Sequence, residues 1–169
     1  MQTELHESAI ETRPAMLEGY GGGDDVPLGG YALLAGTYAT LFAAGLARLR
    51  KKLPRRYSLG DLFLLGIATH KLSRTLVKAK VTSPIRAPFV RYEGSAGVGE
   101  LKESSRGHGL RRAIGDLLTC PWCAGPWIAA PLFFGFVSRP RTTRALAAVA
   151  TAVTISDFLQ HAQVAAKEA

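Results

Sequence analysis

Cys120 and Cys123 are the two cysteines of this 169-residue chain, and they stand in the tetrapeptide CPWC. Proline is favoured at a first helical position, where its missing N–H is not needed. A helix restarting at Pro121 would therefore put Cys120 at its cap. There the positive end of the helix dipole favours a thiolate. Cys123 would follow one turn later, close enough for the two sulfurs to approach. This is the arrangement of a redox dithiol. The same pair would equally serve as small, apolar packing residues at a helix start. A CxxC in a βαβ setting would suggest a thioredoxin-like site, but no such pattern surrounds this one. A closed zinc site normally needs four ligands, and His70, His108 and His161 are scattered along the chain. Only two copies pairing their CPWC segments would supply four sulfurs. No metal or cofactor is expected, and no residue is assigned a catalytic role beyond the candidate redox pair.

The stretch that must position these thiols is 114–137, IGDLLTCPWCAGPWIAAPLFFGFV. After Asp116 no charged residue occurs until Arg139, an uncharged run of 22 residues. A transmembrane helix needs about 20 apolar residues. Pro121, Pro126 and Pro131 recur every five residues, a pattern a membrane helix tolerates when its neighbours satisfy the freed carbonyls. Trp122 and Trp127 suit a headgroup boundary, where an indole buries its body and keeps its N–H wet. The expectation is a short helical lead-in, a break at Thr119–Cys120, and a second helix from Pro121.

Charge is partitioned sharply along the rest of the chain. Residues 1–27 carry six acids and one arginine, and end in a glycine-rich hinge. No GK[ST] follows those glycines, so they read as a flexible acidic tail and not as a phosphate loop. That acidic start, without an early apolar core, also lacks the form of a secretory signal. Residues 28–47 hold no charge and make the clearest membrane span. Gly36, Thr40 and Ala44 recur at four-residue spacing, as do Ala39, Ala43 and Ala47. Such small residues allow close helix approach. Tyr31 and Tyr38 suit the outer boundary.

The sequence RLRKKLPRRY then places Arg48, Arg50, Lys51, Lys52, Arg55 and Arg56 within nine residues. By the positive-inside rule this end stays in the cytoplasm, facing anionic lipid headgroups. Nucleic acid is the less economical partner for a basic block flanked by apolar runs. Residues 58–81 read as a helix capped by Ser58, with Asp61 three residues on. Only eight uncharged residues separate Asp61 from His70. The expectation is an amphipathic helix lying at or half-inserted into the interface, or else a span whose lysines snorkel. Residues 82–113, broken by prolines and glycines, read as a basic loop. Glu93, Glu100 and His108 are its candidates for acid–base work, weighed against simple solvation. A last span is expected at 145–162, packed on the central helix, with Asp157 near its boundary and available to a basic partner.

The sequences IATHKLSRTLVKAKVTSPIRAPF and IGDLLTCPWCAGPW together resemble the bacterial and phage family known as domain of unknown function 1360. Small sporulation-associated membrane proteins belong to that family. Its Arg-rich helix matches Lys71 and Arg74, with a lysine where an arginine is expected. Its R-x-P-F-like turn matches Arg86, Pro88 and Phe89. Its CPxC-x-x-x-W element matches Cys120, Pro121, Cys123 and Trp127. The resemblance implies a bacterial membrane protein and no particular reaction.

The reading as a whole is an all-α integral membrane protein of the bacterial cytoplasmic membrane. It has a tail at 1–27 and one helical domain at 28–169. Three spans are expected, or four if 58–81 also crosses. The N-terminus lies outside and the 48–113 segment in the cytoplasm. The expected role is a noncatalytic assembly or interaction factor, partnered by lipid and by a second copy or another membrane protein. The alternatives are a membrane dithiol oxidoreductase and a membrane-tethered nucleic-acid binder acting through 48–113.

Overall fold

The computed structural model describes Tyr20 and residues 26–168. The tail expected at 1–27 lies almost wholly outside those residues. Six helices and one hairpin follow in the order α1 (Leu28–Leu49), α2 (Leu59–Lys78), α3 (Ser83–Arg86), β1 (Val90–Gly97), β2 (Glu100–Ser105), α4 (Gly109–Thr119), α5 (Pro121–Ser138) and α6 (Pro140–Glu168).

Local sequence explains most of the helix boundaries. The uncharged run after Pro27 forms α1, which ends in a 3-10 turn at Arg50–Lys52. Ser58 caps α2: its Oγ accepts from the Asp61 N–H at 3.0 Å and donates to Asp61 Oδ2 at 2.8 Å. Both serve a helix start whose first N–H groups have no partner within the helix. The break expected at Cys120 is present, and α4 meets α5 there at 85°. Pro126 and Pro131 lie inside α5 without ending it.

The basic loop expected over 82–113 is corrected. It holds α3, the β1–β2 hairpin and the first turn of α4, so the protein is mostly helical with a small antiparallel sheet and not all-α. Val90 pairs with Ser105 and Gly97 with Glu100, with irregularities at Tyr92–Gly94 and Ser95–Gly97. Gly94 and Gly97 adopt φ of 148° and 134°, a region that disfavours side chains. The glycines that read as loop punctuation are thus the bulge positions of a hairpin.

The helix directions follow from pairs of contacts. Tyr38 packs on Trp127 and Phe42 on Phe134, so α1 runs parallel to α5. Asp61 bonds Arg144 and Lys71 bonds Asp157, so α2 runs parallel to α6. A one-residue turn at Arg139 reverses α5 into α6. Two helices therefore descend and two ascend. Ala68, Ala147 and Ala150 form the buried centre between α2 and α6, with Leu64, Leu65 and Leu132 around them.

One end of this bundle holds Arg48, Arg50, Lys51, Lys52, Arg55, Arg56, Arg139, Arg141 and Arg144, opposed by the single carboxylate Asp61. The other end holds the start of α1, the hairpin, α4 and the CPWC break. The 48–113 segment, expected on one side as a single block, is thereby split between the two ends, because α2 packs along α5 and α6 over its length.

The close-packed face of α1 also differs from expectation. Tyr38, Phe42 and Gly45 meet α5, and a Cβ on Gly45 would lie 2.5 Å from the Phe134 ring. Gly36, Thr40 and Ala44 face outward, and nothing lies within 4 Å of the Cβ position of Gly36. Two bulky rings beat a small-residue seam because they cover more surface.

Candidate functional site at the hairpin end of the bundle

The CPWC motif sits in the elbow between α4 and α5. Cys120 is extended (φ −112°, ψ 110°) and its Sγ accepts from the Cys123 N–H at 3.3 Å. This is the capping role expected from Pro121 at the first helical position. The two sulfurs lie 2.7 Å apart with both thiols free. Cys120 is half-buried, Cys123 is exposed, and Trp122 beside them is 86% exposed. Trp127 packs against Tyr38 of α1.

One turn before Cys120, Asp116 joins three elements. Tyr31 Oη of α1 donates to Asp116 Oδ2 at 2.6 Å, and Ser105 Oγ of β2 donates to Oδ1 at 2.6 Å. Sequence reasoning assigned Asp116 no role. The one signal available was its position as the last charge before a 22-residue uncharged run.

The remaining motif residues are structural ties around this end. Arg86 is fully buried. Its Nε donates to Glu103 Oε2 at 2.6 Å, and its Nη1 donates to the Leu76 and Ala79 carbonyls at 2.8 and 3.0 Å. Thr82 Oγ1 donates to the Thr75 carbonyl at 2.7 Å. Together they satisfy carbonyls that α2 leaves open at its C-terminus, which explains why the helix expected to reach residue 81 stops at Lys78. The Pro88 carbonyl accepts from Arg111 Nη2 at 2.7 Å and the Phe89 carbonyl from the Arg106 N–H at 3.0 Å. Gly115 passes so close to this turn that a Cβ there would lie 2.6 Å from the Phe89 carbonyl oxygen.

Lys71 and Arg74 point to a different part of the same end. Lys71 Nζ lies 2.5 Å from Asp157 Oδ2, so Asp157 does find a basic partner. Arg74 binds Glu100 with two bonds of 2.7 and 2.9 Å. Glu93 accepts from Ser104 Oγ at 2.5 Å. Glu100 is therefore tied to α2 and Glu93 to the neighbouring strand of the hairpin. Among the described residues no group of three His, Cys, Asp or Glu side chains could hold a metal ion. Arg48, Arg50, Lys51, Lys52, Arg55 and Arg56 are all exposed at the opposite end.

The comparisons with known proteins bear on this end of the molecule. The model of the family described as "Protein of unknown function (DUF1360)" matches residues 64–163. "Sporulation protein YjcA" of Bacillus subtilis (strain 168) is 35% identical over 71 residues, which cover 40% of this chain and 60% of that protein. "UPF0713 protein YngL" of the same organism is 29% identical over 91 residues, covering 51% of this chain and 65% of that protein. The chain thus spans less than two thirds of either relative. No solved structure matches. The matched segment runs from the second turn of α2 to the last turns of α6 and takes in every motif residue placed above, so this chain belongs to the DUF1360 family of proteins of unknown function.

Proposed function

We propose that the chain is a four-pass protein of the bacterial cytoplasmic membrane, acting as a noncatalytic assembly or interaction factor. The observation that carries this reading is the apolar outer surface of the bundle. Leu33 and Leu41 of α1, Leu62 and Phe63 of α2, and Leu146, Val149, Val153 and Ile155 of α6 are all exposed. A soluble monomer rarely exposes apolar surface so continuously. In lipid that surface is the favoured one.

Two helices, Leu28–Lys52 and Pro140–Lys167, are long and apolar enough to cross, and the bent α4–α5 pair makes a third candidate. At 1.5 Å per residue, α1 is about 33 Å long and α2 about 30 Å, against a hydrocarbon core of about 30 Å. The composition of α2 is too polar for a lone span. Its charges are tolerable because Asp61 meets Arg144 and Lys71 meets Asp157; ionisable groups within membranes pair and face the bundle. The short connections at 48–56 and 139–144 then carry the cytoplasmic positive charge. The hairpin, the CPWC elbow and both ends of the described chain lie outside. One relative's link to sporulation fits a factor of the cell envelope.

The test is alkaline carbonate extraction of membranes from cells expressing the full chain. Retention in the pellet is expected, and release into the soluble fraction would refute the reading. A second reading, a membrane dithiol oxidoreductase, is favoured by the sulfur separation of 2.7 Å and the exposure of Cys123. It predicts that C120S/C123S abolishes function at normal protein abundance. A nucleic-acid role through 48–113 has less support, since those cations are divided between opposite ends.

A further inference from the structure

A groove of about 530 Å³ opens between the second half of α2, the hairpin tip and the second half of α6. That volume is within the range of small-ligand sites. Its walls carry two ion pairs side by side, Lys71–Asp157 and Arg74–Glu100. None of the four side chains is fully buried: their exposures are 25% and 42% for the first pair and 51% and 24% for the second. The groove therefore offers two cations and two carboxylates that a ligand can reach. Its rim is apolar, with Phe158, Val164 and Val98 exposed.

We propose that this groove binds the zwitterionic headgroup of a phospholipid of the phosphoethanolamine class. The charge balance selects the ligand. Two cations matched by two carboxylates give no net attraction to an anionic headgroup. A phosphate joined to a primary ammonium meets both signs at once. The phosphate reaches Lys71 and Arg74, whose donors form charge-assisted bonds to phosphate oxygens. The ammonium, with three donors, reaches Asp157 and Glu100. Val153 and Val149, one and two turns before Asp157 on the same face of α6, are exposed below the ion pairs and offer the acyl chains an apolar surface.

The position agrees with that ligand, and here the inference rests on the membrane reading. Lys71 stands 12 residues above Leu59, about 18 Å along α2, and the hairpin tip lies higher still. The groove thus climbs from the outer half of the span to the hairpin beyond it, and opens toward the outer headgroup region.

The experiment titrates full-length protein in detergent micelles with phosphatidylethanolamine or phosphatidylglycerol and counts lipid adducts by native mass spectrometry. One phosphatidylethanolamine adduct is expected, about tenfold favoured over phosphatidylglycerol, the effect of one charge-assisted hydrogen bond. E100Q/D157N should erase that preference, whereas K51Q/K52Q at the opposite end should leave it. Equal retention of the two lipids by the unaltered protein overturns the proposal. So does a preference that survives E100Q/D157N. Should that variant fail to fold, Phe158→Ala carries the test, since the ring is 68% exposed: fewer adducts support the groove, and unchanged adducts overturn it. Soluble phosphoethanolamine displacing the lipid at equal concentration would assign the site to a soluble ester and overturn the lipid assignment. Protein that resists carbonate extraction yet shows no headgroup preference sinks this inference alone and leaves the membrane reading standing.

Discussion

Arg86 and Glu103 form a buried ion pair, Nε to Oε2 at 2.6 Å, that ties the end of α2 to the hairpin. Their side chains are 0% and 5% exposed. Removing one partner of such a pair leaves an uncompensated charge, a loss of roughly 3–5 kcal/mol. Arg86→Ala should therefore lower the thermal midpoint of the detergent-solubilised protein more than any single change at the exposed cations Arg48 to Arg56. Arg86→Lys should rescue little, because an ammonium cannot serve Glu103 and the two α2 carbonyls in the same fork. A midpoint unchanged in R86A would show that the hairpin is not held by this pair.

A pair of glycines gives a contrast that depends only on packing. Gly115→Ala drives a methyl towards the Phe89 carbonyl and the Ser105 backbone, at 2.6 and 3.1 Å. Backbone cannot step aside as a side chain can, and overpacking of this kind costs about 1–3 kcal/mol. Gly36→Ala meets nothing within 4 Å and gains helix propensity, up to about 1 kcal/mol. Thermal unfolding of the two variants should move in opposite directions. The same direction for both would contradict the packing of α4 against the hairpin turn.

Topology separates four passes from three. With both native cysteines replaced by serine, single cysteines at Ser95 and at Lys52 should react with an impermeant maleimide from opposite sides of the membrane. Ser95 should label in intact protoplasts and Lys52 only after lysis. Labelling of both from one side would mean that α2 does not cross, and the arrangement reverts to three spans with 48–113 in the cytoplasm.

The thiols make a prediction of rate and of product. At the start of α5, Cys120 Sγ accepts from the Cys123 N–H and from the Cys123 thiol. Under mild oxidation by diamide the pair should join within one chain, each sulfur losing a proton and one electron to the reagent. Peptide mapping should recover the linked CPWC fragment, and brief alkylation at neutral pH should mark Cys120 before Cys123. Slow and equal alkylation with no linked fragment would leave both as packing residues and end the oxidoreductase reading.

What the chain's local order determined is the part governed by near neighbours. Ser58 followed by Asp61 is a helix start wherever it occurs, since the cap closes within one turn. Pro121 after Cys120 ends one helix and begins the next, and the bend of 85° is its consequence. The uncharged runs at 28–47 and 117–138 are legible as long apolar segments by composition alone. Tertiary structure decided what depends on distant partners. The charges on α2 read as unpaired until Arg144 and Asp157, 83 and 86 residues further on, bring opposite charge to Asp61 and Lys71. The glycines of 94–99 read as loop until β2 supplies the strand against which they bulge. The face that α1 turns inward was set by the rings of Trp127 and Phe134. Local rules measure propensity along the chain, whereas charge compensation, strand pairing and ring packing are energies between segments, and they exist only once the segments have met.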